Sequence, residues 1–282
     1  MSESPTYRVA VAQIDPKIGE VAANLVLILD GVDEAAAGGA HLVIFPECAL
    51  SGYGFTSKEE ALPFAESIPG PATDAVAKAC ARLGLFAIFG LLERDGDRLF
   101  NACVLIGPDG LVGSYRKIHL PFMGVDRFAT PGDRPFEVLD AGGLRVGMHI
   151  CYDGGFPEPG RVLTLLGADL LVLPTNWPVR TEAIAEHLMI CRAMENVIFA
   201  LAANRVGEER GFPFLGRSSI AGPNGELLAR ADDQPGIIYA DIDPARARQK
   251  RQVRVPGQHE IDRIADRRPE FYASLIEPKG RV

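Results

Sequence analysis

Short apolar runs that read as strands alternate with helical segments along most of the chain, and three tight-turn signals break the alternation: Pro108-Asp109-Gly110, Ala141-Gly142-Gly143 and Pro223-Asn224-Gly225. No other feature narrows the fold as far. Strand–helix units alone build a parallel sheet or a barrel, with a helical crossover between neighbouring strands. A glycine turn between two apolar runs instead folds them into an antiparallel hairpin. A chain that does both builds mixed sheets, which excludes a simple dinucleotide-binding sheet or a barrel of regular βα units. The pattern fits two mixed sheets packed face to face with helices outside.

The segments themselves support this. Residues 8–13 (RVAVAQ) form a first strand, and 21–37 follow at helical spacing, closed by Gly38 and Gly39. Residues 41–45 (HLVIF) are almost wholly apolar, so both faces of that strand need cover. A helix over 71–83 opens on Pro71 and closes on Gly84. Strands are expected at 85–91, 99–106, 111–117, 136–139, 144–150, 170–173, 197–203, 215–221, 226–230 and 236–242. Further helices fall at 161–166, at 181–196 and, strongly basic, at 244–251. No linker or composition break divides the chain, so residues 1–282 are expected to form a single domain. Residues 252–282 are charged and weakly periodic, too polar for a core of their own, and are expected to lie at a subunit interface.

Bulk properties remove several classes of function. The formal net charge is -8 and basic residues are dispersed until the tail, which disfavours nucleic acid or an anionic membrane as partner. No apolar run approaches a membrane span, and residues 1–7 lack the apolar core of a signal peptide. The five cysteines include no CxxC pair, so neither a disulfide framework nor a zinc knuckle is indicated. A protein of a reducing cytoplasm is the expectation.

Three apolar strands end on a residue able to do chemistry: HLVIFPE on Glu47, LVGSYRK on Lys117 and LRVGMHIC on Cys151. After Cys151 the chain turns at once through Gly154, Gly155 and Pro157, and a helical pattern starts near Pro159. Strand, nucleophile, sharp turn and helix is an arrangement that holds a reactive atom clear of its own strand. Any one of these residues alone has an ordinary explanation: buried cysteine, solvated glutamate, surface lysine. Together they form a chemical set. A thiol attacking a carbonyl or nitrile carbon needs a base, and a partly buried Glu47 has a raised pKa suited to that task. Lys117 would place positive charge where an oxyanion develops and would favour the Cys151 thiolate. The backbone N–H of Tyr152, just past the nucleophile, is the natural second oxyanion donor. His149 is read as structural.

These segments resemble the nitrilase superfamily of carbon–nitrogen hydrolases across nearly the whole chain. The resemblance rests on LVIFPE around Glu47, YRKIHL around Lys117 and GMHICYDGGFPE around Cys151, in that order. Around them SGY (51–53), ADLLVLPTNWP (168–178), RAMEN (192–196), ANRVG (203–207), GRSSIAGPNGELLA (216–229) and RRPEFY (267–272) look like the family too. The resemblance implies an α/β fold that is a four-layer αββα sandwich of two mixed sheets with helices on both outer faces. It also implies a Glu47–Lys117–Cys151 triad, thiol hydrolysis of a non-peptide C–N bond, no metal or other cofactor, and a homodimer or higher homo-oligomer. One departure stands out. Relatives carry a second glutamate in the loop after the lysine, whereas here that loop reads GVDRFATPGD and its nearest carboxylate is Asp126, one methylene shorter.

Tyr53, Phe122 and Met123, on loops after the Glu47 and Lys117 strands, are candidates for the substrate wall. So are Asn176 and Trp177, which follow the strand LLVLP and share the edge of Cys151 if that strand is its neighbour. An aromatic-lined cleft suits a small, partly apolar substrate. The expected reaction is hydrolysis of a small amide or N-carbamoyl compound with release of ammonia through a cysteine acyl-enzyme, with water as second substrate. Nitrile hydrolysis is the alternative within the class. Outside it stand a catalytically silent interaction protein, which would show loss of a triad residue, and a metal hydrolase built on His149 and Asp153, against which the few histidines and the lack of an HExxH spacing argue.

Overall fold

The computed structural model describes residues 5–277. It contains two six-stranded sheets. Strands β1 (Tyr7–Gln13), β2 (Leu42–Ile44), β3 (Phe86–Asp95), β4 (Arg98–Gly107) and β5 (Gly110–Arg116) belong to the first. Strands β6 (Val138–Ala141), β7 (Leu144–Met148), β8 (Leu170–Thr175) and β9 (Phe199–Asn204) belong to the second. A two-residue ribbon, β10 (Glu208–Glu209) with β11 (Phe212–Pro213), follows; β12 (Ser219–Ala221) and β13 (Leu227–Arg230) then complete the second sheet, and β14 (Gly236–Ile242) returns to the first. The strand orders are β14-β1-β2-β3-β4-β5 and β13-β12-β9-β8-β7-β6. In each sheet three neighbouring strands run parallel, β1-β2-β3 and β7-β8-β9, and the outer pairings are antiparallel.

Period-two alternation sorts the side chains into layers. From the first sheet, Val9, Val11, Leu42, Ile44 and Ile88 point toward the second and meet Leu144, Val146, Leu170 and Val172. Their neighbours Ala10, Ala12, Val43, Phe45 and Phe89 point the other way, onto Ile28 and Val32 of helix α1 (Val21–Ala37) and Val76 and Cys80 of helix α3 (Pro71–Leu83). Between these helices lies the short α2 (Lys58–Ala61). On the far side, helices α4 (Pro157–Leu165) and α5 (Glu182–Asn196) cover the second sheet through residues such as Leu163, Met189 and Ala193. The result is the expected αββα order of layers.

All three predicted hairpins form, as β4–β5, β6–β7 and β12–β13. A fourth, β3–β4, was not expected: β3 runs on past Leu91 to Asp95. Its charged end reads as loop, but Glu93 is buried and held by Arg116, with guanidinium-to-carboxylate distances of 2.6 and 2.8 Å. The expected strand over 215–221 contracts to Ser219–Ala221, and α4 starts at Pro157 rather than Arg161. The basic helix is only α6 (Pro244–Arg248); the chain then forms a separate hairpin of β15 (Arg251–Val255) and β16 (His259–Asp262) and two short helical turns. The last residues of the expected interface tail, 278–282, lie outside the described residues.

Candidate active site

Ligand sites of open α/β sheets form beyond the carboxyl ends of parallel strands, and all the chemistry-bearing residues gather there. Glu47 follows β2, Cys151 follows β7, and Thr175 with Asn176 closes β8. Lys117 follows β5, the antiparallel edge strand, with its backbone N–H on the Asn101 carbonyl at 2.8 Å. The turn after β2 is tight: a Cβ on Gly90 of β3 would stand 2.4 Å from the Cys48 nitrogen and 2.7 Å from Glu47 Cα, so only glycine lets that turn settle onto the sheet. Two non-glycine residues here adopt left-handed backbone, Cys48 at φ 48° and Cys151 at φ 45°. Such conformations cost about 1–3 kcal/mol each and persist where surrounding structure fixes them.

Glu47, Lys117 and Asp126 form one closed cluster. The Lys117 ammonium donates to Glu47 Oε1 at 2.6 Å and to Asp126 Oδ2 at 2.5 Å, and all three side chains are sealed from solvent. Asn101, on β4, donates to both carboxylates, at 2.7 Å to Glu47 Oε1 and 2.8 Å to Asp126 Oδ1. The Tyr53 hydroxyl lies 2.9 Å from Asp126 Oδ2. Asp126 thus reaches the lysine despite its shorter arm, because the helical turn Gly124–Arg127 carries it inward. Glu47 Oε2 is left over: it is buried and, among the described residues, accepts from no protein group.

The electrostatics follow from two carboxylates sharing one cation in a dry site. Burial pushes the Glu47 carboxyl above its ordinary value; Lys117 opposes this and the charge on Asp126 adds to it. Burial acts to lower the Lys117 pKa, but Asp126 and Glu47 outweigh it and hold the ammonium charged well above the usual range. The Cys151 thiol is pushed up to about 12, first by burial and then by the Glu47 charge, against the pull of Lys117. At neutral pH the thiol is therefore protonated, and the Glu47 charge acts on it.

The turn at Cys151–Gly155 is tied down by Asp153. Its carboxylate accepts from the Ile150 N–H at 2.9 Å, the Tyr115 hydroxyl at 2.8 Å and the His119 N–H at 3.0 Å, and meets the His119 ring at 2.7 Å. The turn at Cys151 and the end of the lysine strand are thereby joined. Among the described residues the Tyr152 N–H donates to no protein acceptor, whereas its side chain stands half in solvent. The loop bearing Tyr53 is fixed from afar: Glu209 Oε2 accepts from the Tyr53 N–H at 3.0 Å and the Gly54 N–H at 2.7 Å, and the Glu209 carboxylate pairs with the fully buried Arg205. Asn101, Asp153, Arg205 and Glu209 were not singled out as supporting residues by their sequence context.

The other candidates divide. Met123 and Tyr53 line a cavity beside the cluster, and Phe122 stands at its rim. Trp177 is packed in the core instead. Asn176 is buried with both side-chain amide atoms unpartnered. His149 is fully buried, neither ring nitrogen has a protein partner, and burial lowers its pKa to about 4, so it is neutral.

Thiol, buried carboxylate and caged ammonium at the ends of two face-packed mixed sheets define a class, and comparison with known proteins agrees. Residues 8–252 match the family described as carbon-nitrogen hydrolase, and the chain belongs to that family. It is 39% identical over 267 residues to a protein named nitrilase from Pyrococcus abyssi, covering 94% of this chain and 98% of that one. It is 32% identical over 281 residues to omega-amidase from Homo sapiens, covering 95% and 97%. Among solved structures, the amidase from Nesterenkonia sp. superposes with a TM-score of 0.80 at 26% identity, covering 98% of each chain. A mutant of that amidase has been solved with the acetamide moiety of fluoroacetamide added covalently at its active-site cysteine.

Proposed function

We propose that residues 1–282 act as one catalytic unit that hydrolyses a small amide, or an N-carbamoyl compound, with Cys151 as nucleophile, Glu47 as general base then acid, and Lys117 with the Tyr152 N–H as the oxyanion site. The observation that carries this reading is the buried Glu47–Lys117–Asp126 cluster, in which Glu47 Oε2 has no partner among the described residues and whose Glu47 and Lys117 charges both act on the Cys151 thiol. Glu47 takes the Cys151 proton as sulfur attacks the carbonyl carbon. The oxyanion forms against Lys117 Nζ and the Tyr152 N–H. Glu47 returns the proton to the leaving nitrogen, ammonia departs and a thioester remains. Glu47 then deprotonates water, which attacks the thioester carbon; the C–S bond breaks, the acid is freed and Glu47 returns the proton to the Cys151 thiolate. Asp126 and Asn101 position the lysine and the glutamate.

Amide is preferred to nitrile because human omega-amidase and the Nesterenkonia amidase, a mutant of which was solved with acrylamide and another with butyramide, carry that chemistry in their names. The Pyrococcus relative, named nitrilase, keeps nitriles as the second reading. An ammonia-release screen over primary amides, carbamoyl amines and nitriles separates the two; primary amides should be turned over fastest. Cys151→Ala should abolish turnover with the fold intact by circular dichroism, and iodoacetamide should label Cys151 before Cys48, Cys80, Cys103 or Cys191. Full activity in the Ala variant overturns the mechanism. A cytoplasmic location is part of the same reading, supported by free thiols at all five cysteines; among the described residues no helix is long and apolar enough to cross a membrane. So is a homo-oligomeric state.

A further inference from the structure

The cavity beside the catalytic cluster has a volume of about 360 Å³, and its character is unlike the cluster's. Its wall is aromatic, with Phe55, Phe122, Phe212 and Phe214 joined by Met123 and Pro178. Two of the three charged groups on the wall are already paired within the chain, and the third, Arg127, meets carbonyls and rings. Glu209 is consumed by Arg205 and by the N–H groups of Tyr53 and Gly54. Arg210 is paired with Glu60. Arg127 donates to the carbonyls of Gly124 at 3.1 Å and Phe55 at 3.4 Å, and its guanidinium stands 4.8 Å from the Phe128 ring centroid. A polar occupant would find few open partners. An apolar one would cover rings that now face water: Phe122 is 91% exposed and Phe212 61%. Exposed aromatic patches of this kind mark binding surfaces.

The cavity also adjoins the buried cluster. Tyr53 belongs to both: its hydroxyl meets Asp126, its ring centroid is 5.9 Å from Lys117 Nζ, and it lines the cavity. On the opposite side Pro178 lies two residues past Asn176, which follows β8, the parallel neighbour of the strand that leads to Cys151. That segment is held against Phe214 by paired backbone, Val179 N–H to the Pro213 carbonyl and Leu215 N–H to the Trp177 carbonyl, each at 3.0 Å. The aromatic wall is thus anchored to Tyr53, which touches the cage of the ammonium, and to the segment after β8, whose neighbour β7 leads to Cys151.

We infer that this cavity receives the acyl arm of the amide substrate, and that the arm is apolar: an alkyl chain of about five or more carbons, or a phenyl ring on a short linker. The inference rests on the amide-hydrolase reading of Cys151 and names its substrate class. The reacting atoms are unchanged; the arm displaces water from the phenylalanine rings and so favours its own amide over shorter ones. Each methylene buried there is worth about fourfold in kcat/KM.

The test compares acetamide, butyramide, hexanamide, 3-phenylpropanamide and 5-carboxypentanamide. kcat/KM should rise about fourfold per methylene from butyramide to hexanamide, with 3-phenylpropanamide at least as good. In the Phe122→Ala/Phe212→Ala double variant the ratio of kcat/KM for 3-phenylpropanamide to that for acetamide should fall about tenfold. Turnover of acetamide with no gain along the series upholds the hydrolase and overturns the apolar arm. So does a large preference for 5-carboxypentanamide over hexanamide, which would assign the cavity to an anionic arm through Arg127. If no amide is turned over, the cavity is still read by calorimetry: 3-phenylpropanamide should bind Cys151→Ala protein, and about tenfold more weakly when the two phenylalanines are also removed; equal binding, or none, overturns the inference.

Discussion

Two carboxylates and one ammonium, closed to water, cannot all be satisfied by one another, and the chemistry follows from the remainder. Lys117 is gripped from both sides, so its charge is fixed; Glu47 keeps one oxygen free, so it is the group able to move a proton. Asp126 holds the lysine without a free oxygen of its own, since Oδ1 meets Asn101 and Oδ2 meets Lys117 and Tyr53. Asp126→Asn removes the negative charge beside the ammonium while keeping the shape. Losing a charge-assisted grip at an oxyanion donor costs about 2–4 kcal/mol in the transition state, so kcat should fall about 10²- to 10³-fold with KM little changed. Asp126→Glu keeps the charge but forces an extra methylene into a packed site, at about 1–3 kcal/mol of stability. Its kcat should lie between wild type and the Asn variant, with a lowered melting temperature. Wild-type kcat in Asp126→Asn would end the supporting role and leave Glu47, Lys117 and Cys151 as the complete set.

Elements were legible where local pattern decides them. β2 reads as a buried strand because it is apolar throughout, and β7 because Arg145 alone interrupts its apolar or small residues; Glu47 and Cys151 stand just past the two strands. The Asn101 and Glu209 contacts had no such signal: their partners lie 54 and 156 residues away, and a polar residue in a strand or loop looks the same whether its partner is water or a buried carboxylate. The end of β3 was missed for a related reason, since Glu93 is compatible with a buried strand only because Arg116 neutralises it. His149 shows the cost of a polar residue near the end of such a strand. Its N–H continues the ladder onto Val172 at 3.1 Å while its ring lies in the core, with Asp153 favouring and Arg192 opposing its protonation. A histidine lowered from 6.5 to about 4 contributes stability that is complete above its ordinary pKa and is lost as pH falls toward 4. Integrated over that shift, the protein should lose about 2 kcal/mol between pH 7.5 and pH 5 from this residue alone. Urea unfolding of wild type and His149→Leu at both pH values measures it: the variant should lose about 2 kcal/mol less. Equal losses would mean the ring titrates normally.

At the scale of the molecule the two sheets repeat one pattern of pairings, antiparallel, parallel, parallel, antiparallel, antiparallel, read from β14 in one and from β6 in the other. Their outer faces are not finished alike. On the second sheet's helical side, α4 leaves Val162, Leu165 and Leu166 exposed, and Arg161 on the same helix donates to the Arg263 carbonyl at 3.3 Å, so the C-terminal segment crosses this face. That segment was expected to be too polar for a core, and it does not build one; instead Phe271, Leu275 and Ile276 stand 71%, 64% and 86% exposed. Apolar side chains on a helix face and on a segment running beside it form the kind of surface that isolated monomers rarely keep. A second copy of the chain is the partner this reading requires, since a two-fold interface lets one patch cover itself. The protein should therefore be at least a dimer by light scattering at micromolar concentration. A chain ending at Arg251, and separately the variant Leu165→Glu/Leu166→Glu, should shift the mass toward the monomer. The pair of variants distinguishes the two halves of the patch: dissociation by the helix change alone would place the contact on α4, with the C-terminal segment only beside it. A monomeric full-length protein at that concentration would contradict the assembly altogether, and those side chains would then be exposed without a partner.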